Sequence, residues 1–321
     1  MKITTLAVFL IFSFGFVFSQ SREIDSLRLV LGNVPSDAVR FQLYEELRRF
    51  YAESDRDSAL YYIEQTITLA KGKGQNLVTA SALSLKAYQL TQKGNYRDAL
   101  KYLLQAITIA EEAENEKDSW LLYEYYKPGT IKSSVLANID FRLGLLMAYA
   151  QNYEQALLQL RKTRRSAILI GDEDLVASAE TAFSRVYIQL NKLDSALIFA
   201  KNAEKRRLRA GRRHISILYW YEGNIKFLKG DMQIAKSYYW RGIKSGLEYQ
   251  NLSGLARNYF ALTKLYLTEN EKDSSLFYAL KSLEITKILK AQNDNDPSTA
   301  YENLYLSYLK RNQLDSAFKY Q

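Results

Sequence analysis

The tetrapeptide Asp194-Ser195-Ala196-Leu197 is one copy of a pattern that recurs along the chain and decides its fold. In each copy a turn is followed by an acidic or polar residue, a small residue and an apolar helix. The other copies are Asp57-Ser58-Ala59-Leu60, Arg97-Asp98-Ala99-Leu100, Glu154-Gln155-Ala156-Leu157, Gln233-Ile234-Ala235-Lys236, Asp273-Ser274-Ser275-Leu276 and Asp315-Ser316-Ala317-Phe318. The small residues, called anchors below, lie at positions 59, 99, 156, 196, 235, 275 and 317, with separations of 40, 57, 40, 39, 40 and 42 residues. A period of about 20–50 residues indicates a solenoid.

Each anchor is predicted to begin the second helix of a pair. Four of these helix starts carry an aspartate, which is expected to accept hydrogen bonds from first-turn amides as an N-cap does: Asp57, Asp194, Asp273 and Asp315. A glycine or asparagine often follows at the expected end of the second helix, where a left-handed C-cap is needed: Gly74, Asn115, Gly171, Gly211 and Asn251.

A first helix is predicted upstream of each anchor from apolar residues at helical spacing. Twelve residues before five of the anchors the residue is small, which lets the two antiparallel helices approach closely: Ala87, Gly144, Ser184, Gly223 and Thr263. Leu47 and Tyr305 depart from this rule in the first and last pairs. Nine residues before six of the anchors the residue is bulky, and Lys226 is the exception.

These residues resemble the tetratricopeptide repeat (TPR), through Leu143-Gly144, Glu222-Gly223 and the alanines at positions 99, 106, 156, 196 and 203. The resemblance covers residues 37–321 and implies an all-α fold, a right-handed α-solenoid of antiparallel helix pairs. The period of 40 residues exceeds the roughly 34 residues usual in the family, and the proline that often closes the repeat is missing.

A more specific resemblance concerns the stretches IDSLRLVLGN, SDAVRFQLYEELRRFYAES and DRDSALYY near the N-terminus. They are similar to the extracytoplasmic TPR input region of certain bacterial histidine kinases, and equally to helix-turn-helix regulators that carry such repeats. The resemblance implies a role in signal transduction, with an output module beyond this chain.

The N-terminus has the features of a secretory signal peptide. Lys2 precedes an apolar run over residues 3–18, and Val17 and Ser19 fit the small-x-small cleavage rule. We expect cleavage after Ser19, which makes Gln20 the first mature residue; an uncleaved anchor is the alternative. The chain is thus divided into a signal peptide (1–19), a lead-in helix (20–36) and about seven repeats (37–321), with an insert near 114–130 and a truncated last repeat.

Composition excludes most site chemistry. The chain has no cysteine and one histidine, so a cysteine nucleophile is impossible and a zinc site lacks its usual ligands. No glycine-rich phosphate loop is present, because Gly242-Ile243-Lys244-Ser245-Gly246 lacks the P-loop spacing. The sequence therefore predicts a protein that is not an enzyme and needs no cofactor or metal.

The net charge of +9 includes a basic stretch from Lys201 to His214. One interpretation is a contact with an anionic surface. The other, which we favour, is a solvated helix C-terminus whose cations complement the macrodipole. The export signal argues against a nucleic-acid partner.

The concave face of such an array is lined by the first helix of each pair, and aromatic, amide and cationic side chains there suit a protein or peptide partner. The register places these candidates on that face: Tyr88, Gln92, Asn138, Phe141, Arg185, Gln189, Trp220, Asn224, Arg257, Phe260 and Lys264.

The leading interpretation is the sensory or interaction region of an exported signalling protein, which binds its partner on the concave face or forms a homodimer. The alternatives are a free-standing periplasmic adaptor without an output domain and an enzyme subunit whose chemistry lies elsewhere. The reading frame beyond Gln321 separates the first two interpretations, since only the leading one continues into a transmembrane helix and a kinase or DNA-binding domain.

Overall fold

The computed structural model describes residues 27, 29–32, 34, 36–52, 55–114, 120, 127, 129–211, 215–292 and 298–321. Fourteen α-helices have both of their ends among these residues, which contain no β-strand, and this confirms the all-α class. The helices are α1 (Asp37–Tyr51), α2 (Arg56–Gly72), α3 (Asn76–Gln92), α4 (Tyr96–Glu112), α5 (Ile131–Tyr149), α6 (Tyr153–Ile170), α7 (Glu173–Gln189), α8 (Leu193–Arg209), α9 (Ile215–Leu228), α10 (Met232–Glu248), α11 (Leu252–Thr268), α12 (Lys272–Gln292), α13 (Ser298–Lys310) and α14 (Leu314–Phe318).

The helices form seven successive pairs, in which an odd-numbered first helix packs against the even-numbered second helix that follows it. Each second helix also packs against the next first helix, so that one pair continues into another. From α3 onward, successive first helices touch each other, whereas the described second helices make no contact among themselves. The first helices are therefore crowded together on the inner side of the array, and this side is its concave face.

The turn inside each of the last six pairs depends on one residue with a left-handed backbone. It lies five residues before the anchor and is Gly94, Gln151, Asn191, Gly230, Asn270 or Asn312. Glycine adopts this conformation freely, and the short polar side chain of asparagine also tolerates it. The residue after it accepts a backbone hydrogen bond from the anchor amide, as Asn95 does from Ala99 at 3.1 Å. The turn thereby places the N-cap of the second helix four residues before the anchor.

The capping residues differ from the sequence prediction. Second helices begin three residues before the anchor, so Asp57 lies in the first turn of α2 and the N-cap is Asp55, whose carboxylate accepts from the Asp57 and Ser58 amides. Asp194, Asp273 and Asp315 also lie inside their helices. Asn251 is the N-cap of α11 and not a C-cap, because Gln250 before it supplies the left-handed residue.

The first-turn aspartates instead link neighbouring pairs. Asp57 binds Lys93, with 2.6 Å between Oδ1 and Nζ, and Asp194 binds Lys229 in the same way. Each lysine lies in the turn of the next pair, about one repeat further along the chain. The acidic residue of the repeated pattern thus contributes to the stacking of one repeat on the next.

All seven anchors are fully buried, with 0% of each residue exposed. The small residues twelve positions earlier are also buried, and two are glycines in close contact with the second helix. A Cβ atom on Gly144 would lie 3.1 Å from Leu160, and one on Gly223 would lie 2.4 Å from the ring of Tyr239. Tyr239 is 1% exposed, so its ring fills the space that Gly223 leaves.

Parts of the predicted organisation lie outside the described residues. These parts are the signal peptide and most of the lead-in segment, although Leu27 is described and packs with Leu31 against the first pair. Most of the insert expected near 114–130 is also outside them. From the insert, Trp120 is described: its ring centroid lies 6.0 Å from that of Phe41, and its amide donates to Gln75 at 2.9 Å.

A buried ionic cluster joins α8, α9 and α10. Glu222 is 0% exposed, and Lys201 Nζ lies 2.6 Å from its Oε2 and 2.8 Å from Oε2 of Glu204. Arg241 approaches the other oxygen of Glu204 at 3.1 Å. Burial raises the pKa of Glu222 from 4.5 to about 7, although the ion pair with Lys201 opposes this rise.

The glycine contact predicts a strong effect of Gly223→Leu. The larger side chain would collide with Tyr239, and overpacking costs roughly 1–3 kcal/mol or more. We expect the free energy of unfolding to fall by at least this amount in urea denaturation. Gly230→Leu tests backbone strain as a different cause of destabilisation. Gly230 has open space around it, so overpacking does not apply there, but its φ is positive. A Gly223→Leu protein that unfolds at the parent's urea concentration would contradict the assigned packing.

The raised pKa of Glu222 predicts a pH dependence of stability. Its folded pKa of about 7 exceeds the ordinary value of 4.5, so the folded state binds the proton more tightly than the unfolded state does. The contribution of Glu222 to the free energy of unfolding is therefore fully present below about pH 4.5 and is lost as the pH rises through 7. Melting temperatures from pH 5 to pH 8 should fall less steeply for Glu222→Gln than for the parent. Equal slopes would contradict the assignment, and Glu248→Gln on the surface serves as the control.

Candidate partner-binding groove

The candidate site is the concave face formed by the first helices α3, α5, α7, α9 and α11, called the groove below. Corresponding residues on these helices lie about one repeat apart in sequence, so they follow one another along the face. The residues expected there from the sequence all belong to these five helices. The contacts of these residues show which side chains remain available to a partner and which ones stabilise the packing of the helices.

The centre of the groove is an arginine stacked on a tyrosine. The guanidinium carbon of Arg185 lies 3.9 Å from the ring centroid of Tyr149, and the Tyr149 hydroxyl donates to Oε1 of Gln92 at 3.2 Å. The residues come from α7, α5 and α3, so this contact crosses three repeats. Tyr149, Gln151, Arg185 and Gln189 line a cavity of about 190 Å³ beside it.

The charge of Arg185 lowers the pKa values of the tyrosine hydroxyls around it relative to what burial alone would give. Burial alone would raise the pKa of Tyr149, but Arg185, Gln92 and Arg257 together hold that pKa below its ordinary value. Burial raises the pKa of Tyr221, against the opposing charges of Arg257 and Arg185. Both arginines therefore act on both phenols and lie close to the same part of the groove.

A second cation–π contact lies next to the first. The guanidinium carbon of Arg257 on α11 is 5.0 Å from the ring of Trp220 on α9, and Trp220 also contacts Tyr221, with 4.7 Å between ring centroids. Trp220 is partly exposed and packs on the core cluster around Tyr239 and Leu262. One part of the indole thus supports the core while another lies beneath Arg257. Lys264 and Phe260 form a third such contact at 5.0 Å.

The remaining predicted residues contribute less to an open surface. Asn224 accepts a hydrogen bond from the Tyr239 hydroxyl at 2.8 Å, so its carbonyl group serves the packing of α10 on α9. Asn138 donates to the Ser134 carbonyl on its own helix, and Phe141 packs into the core. Tyr88 is half-buried, and burial raises its pKa.

The sequence reasoning missed Tyr149, Tyr221 and Arg142. Tyr149 has the same position relative to its anchor as Gln92 and Gln189, so the register itself could have identified it. Tyr221 and Arg142 lie fourteen residues before their anchors, one position away from the register used. Arg142 donates to Ser84 Oγ at 3.1 Å, which links α5 to α3 across the groove.

Three of the five described cations in the basic stretch from Lys201 to His214 bind carboxylates, and one of these three is Lys201. Arg206 binds Glu180 at 3.0 Å and also Glu173, and Arg207 binds Asp174 at 2.6 Å. These pairs connect α8 to α7, so the described part of the stretch ties two helices together. Residues 212–214 lie outside the described part of the chain.

Across the described residues, no group of three or more His, Cys, Asp or Glu side chains could hold a metal ion. Within the same part of the chain, no helix has the length and apolar character needed to cross a membrane.

Comparisons with known proteins concern the repeat architecture. The profile of a family described as "SusR N-terminal TPR domain" matches residues 16–241. No curated protein matches the sequence. The structure is similar to that of a Rap protein complexed with Competence and Sporulation Factor, with a TM-score of 0.64 and 15% identity over 92% of this chain and 76% of that chain.

Two further solved structures are similar. Aspartyl phosphate phosphatase F from Bacillus subtilis aligns with a TM-score of 0.59 and 15% identity, over 88% of this chain and 70% of that chain. A signal transduction ATPase with a tetratricopeptide repeat sensor, from Pyrococcus horikoshii, aligns with a TM-score of 0.61 and 16% identity, over 93% of this chain and 44% of that one. At these identities the likeness concerns the fold.

Proposed function

This chain belongs to the family of SusR N-terminal TPR domains, and we propose that it is an exported scaffold that binds a peptide or protein on its concave face. We further propose that it serves as the sensory or interaction region of a signalling protein, with an output module beyond this chain. The repeats of this fold typically act as non-catalytic scaffolds, and binding is the activity that the groove supports.

The observation that carries the proposal is the set of partly exposed aromatic and cationic side chains in the groove. Trp220, Arg257 and Arg185 come from three different repeats, yet they meet along one face. Tryptophan, tyrosine and arginine are the residue types that most often dominate interface energy. A contiguous aromatic surface on a concave face is also a liability unless a partner covers it.

Structurally similar proteins support the same kind of partner. The structure of one Rap protein was solved in complex with Competence and Sporulation Factor, and that of another in complex with the Phr* peptide. The Pyrococcus horikoshii protein carries a tetratricopeptide repeat described as a sensor. The signalling part of the proposal rests on this description and on the resemblance of the N-terminal region to the input regions of bacterial sensors.

The groove is tested by Trp220→Ala, with Trp240→Ala as the matched control. Trp240 is 45% exposed and lies on a second helix, outside the groove. Because Trp220 is only partly buried, its removal should cost less than the roughly 3–5 kcal/mol of a core tryptophan. Pull-downs from periplasmic extract should recover less partner with Trp220→Ala and an unchanged amount with Trp240→Ala. A large loss of stability together with unchanged capture would remove Trp220 from the binding site.

Export is tested separately. We expect N-terminal sequencing of the protein made in a Gram-negative host to begin at Gln20, because Val17 and Ser19 form the cleavage signal. Val17→Arg should block cleavage by destroying the small-x-small rule, whereas the neighbouring change Phe16→Leu should not. An unprocessed Met1 on protein from the cytoplasmic fraction would contradict export.

A further inference from the structure

The cations of the groove differ from those elsewhere in how their charge is balanced. Outside the groove, arginines and lysines are commonly paired with carboxylates, as in Arg206–Glu180 and Arg241–Glu204. Arg185 and Arg257 are instead placed over aromatic rings, and neither has a carboxylate within 4.0 Å among the described residues. The groove therefore carries positive charge that the described part of the protein does not neutralise.

The sequence of the five groove helices explains this imbalance. The positions that face the groove lie 18, 15, 14, 11 and 7 residues before each anchor, and none of them is Asp or Glu in these helices. The buried carboxylates of the same helices pair with cations of second helices. Asp140 pairs with Lys162, and Glu222 pairs with Lys201. Glu180 pairs with both Arg164 and Arg206. The acidic groups of the first helices thus serve the packing between helices, and the opposite side keeps only cations.

A guanidinium that lies over an aromatic ring still has N–H donors for a ligand, because the group carries about five of them. The guanidinium carbon of Arg185 lies 3.9 Å from the ring centroid of Tyr149, and that of Arg257 lies 5.0 Å from the ring of Trp220. A planar fork of this kind matches a carboxylate with two parallel hydrogen bonds. The aromatic rings hold the forks in position before any ligand arrives, which lowers the entropy lost on binding.

The two arginines lie on the same face of the array. Arg185 is on α7 and Arg257 is on α11, and α9 touches both of these helices. The cavity of about 190 Å³ opens next to Arg185, and the charges of both arginines act on the phenols of Tyr149 and Tyr221. This volume is small for a drug-sized ligand, since such pockets span roughly 300–1,000 Å³. It is large enough for one side chain or one chain terminus, and the groove continues along the repeats on both sides.

We propose that the groove between Arg185 and Arg257 is a carboxylate-binding site, and that its ligand is a peptide that presents an acidic group there. This inference rests on the proposed function and adds the chemical class of the ligand. The carboxylate is supplied either by an Asp or Glu side chain or by the C-terminus of the peptide. The remainder of the peptide lies along the groove, where Trp220 and Phe260 contact its apolar side chains.

The test is affinity selection from two synthetic libraries of random octapeptides, one with free C-termini and one with amidated C-termini. Both are passed over the immobilised parent protein, the double variant Arg185→Gln/Arg257→Gln, and the control Arg161→Gln/Lys205→Gln. The control removes the same two charges at exposed positions of second helices, α6 and α8. Bound peptides are sequenced, and the affinity of individual peptides is then measured by calorimetry.

We expect peptides bound by the parent and the control to be enriched in Asp or Glu at one position, or to require a free C-terminus. The first result identifies a side chain as the source, and the second identifies the terminus. Replacing that Glu by Gln, or amidating that terminus, should weaken binding by about tenfold or more, as should the double variant, because hydrogen bonds between charged groups are strong. Circular dichroism should show the same melting temperature for the double variant and the control.

The outcomes separate the two proposals. Peptides bound by the parent with no acidic enrichment and no need for a free terminus would overturn the carboxylate site and leave peptide binding in place. Equal weakening in the double variant and the control would also overturn it, because net charge alone would then explain the effect. If the parent retains no peptide from either library, both the carboxylate site and the peptide-binding function are wrong.

Discussion

The close approach of the two helices in each pair is the constraint on which the rest of this structure depends. It requires a small anchor in the second helix, and every anchor from Ala59 to Ala317 is fully buried. Where the opposing residue is Gly144 or Gly223, not even a Cβ atom fits without displacing its neighbour. Because this contact repeats about every 40 residues, the pairs stack in one direction and a continuous core forms along the chain.

The same packing creates the groove. First helices touch one another and second helices do not, so the residues on the inner side of the first helices come together across repeats. Arg185 thereby meets Tyr149, and Arg257 meets Trp220, although each pair of residues is separated by more than thirty positions in sequence. No single repeat contains the site, because each contributes only one or two side chains to it.

Electrostatics divides the molecule into two sides. Carboxylates from first helices, such as Glu180 and Glu222, are fully buried and turn toward partly exposed cations of second helices. Removing the cation of such a pair leaves a buried carboxylate without compensation, which is costly. In the groove, by contrast, Arg185 and Arg257 lie over aromatic rings and have no carboxylate partner among the described residues. A partner with negative charge would balance these cations in the way that Glu180 balances Arg206 between the helices.

The repeat can be predicted from the sequence alone, because a small residue about every 40 positions and helical apolar spacing are local and periodic signals. The sequence also predicted which helices line the concave face, since the first helices all share one register. It misplaced the helix starts by three residues, because the left-handed turn residue and not the aspartate sets them.

Which side chains of the groove remain available to a partner depends on the tertiary structure. Asn224 and Trp220 are equivalent candidates by register. However, Asn224 is bound by Tyr239 from a second helix, whereas Trp220 lies beneath Arg257 from the next repeat. These partners are distant in sequence, and their choice follows from how side chains of different lengths fill the space between stacked helices.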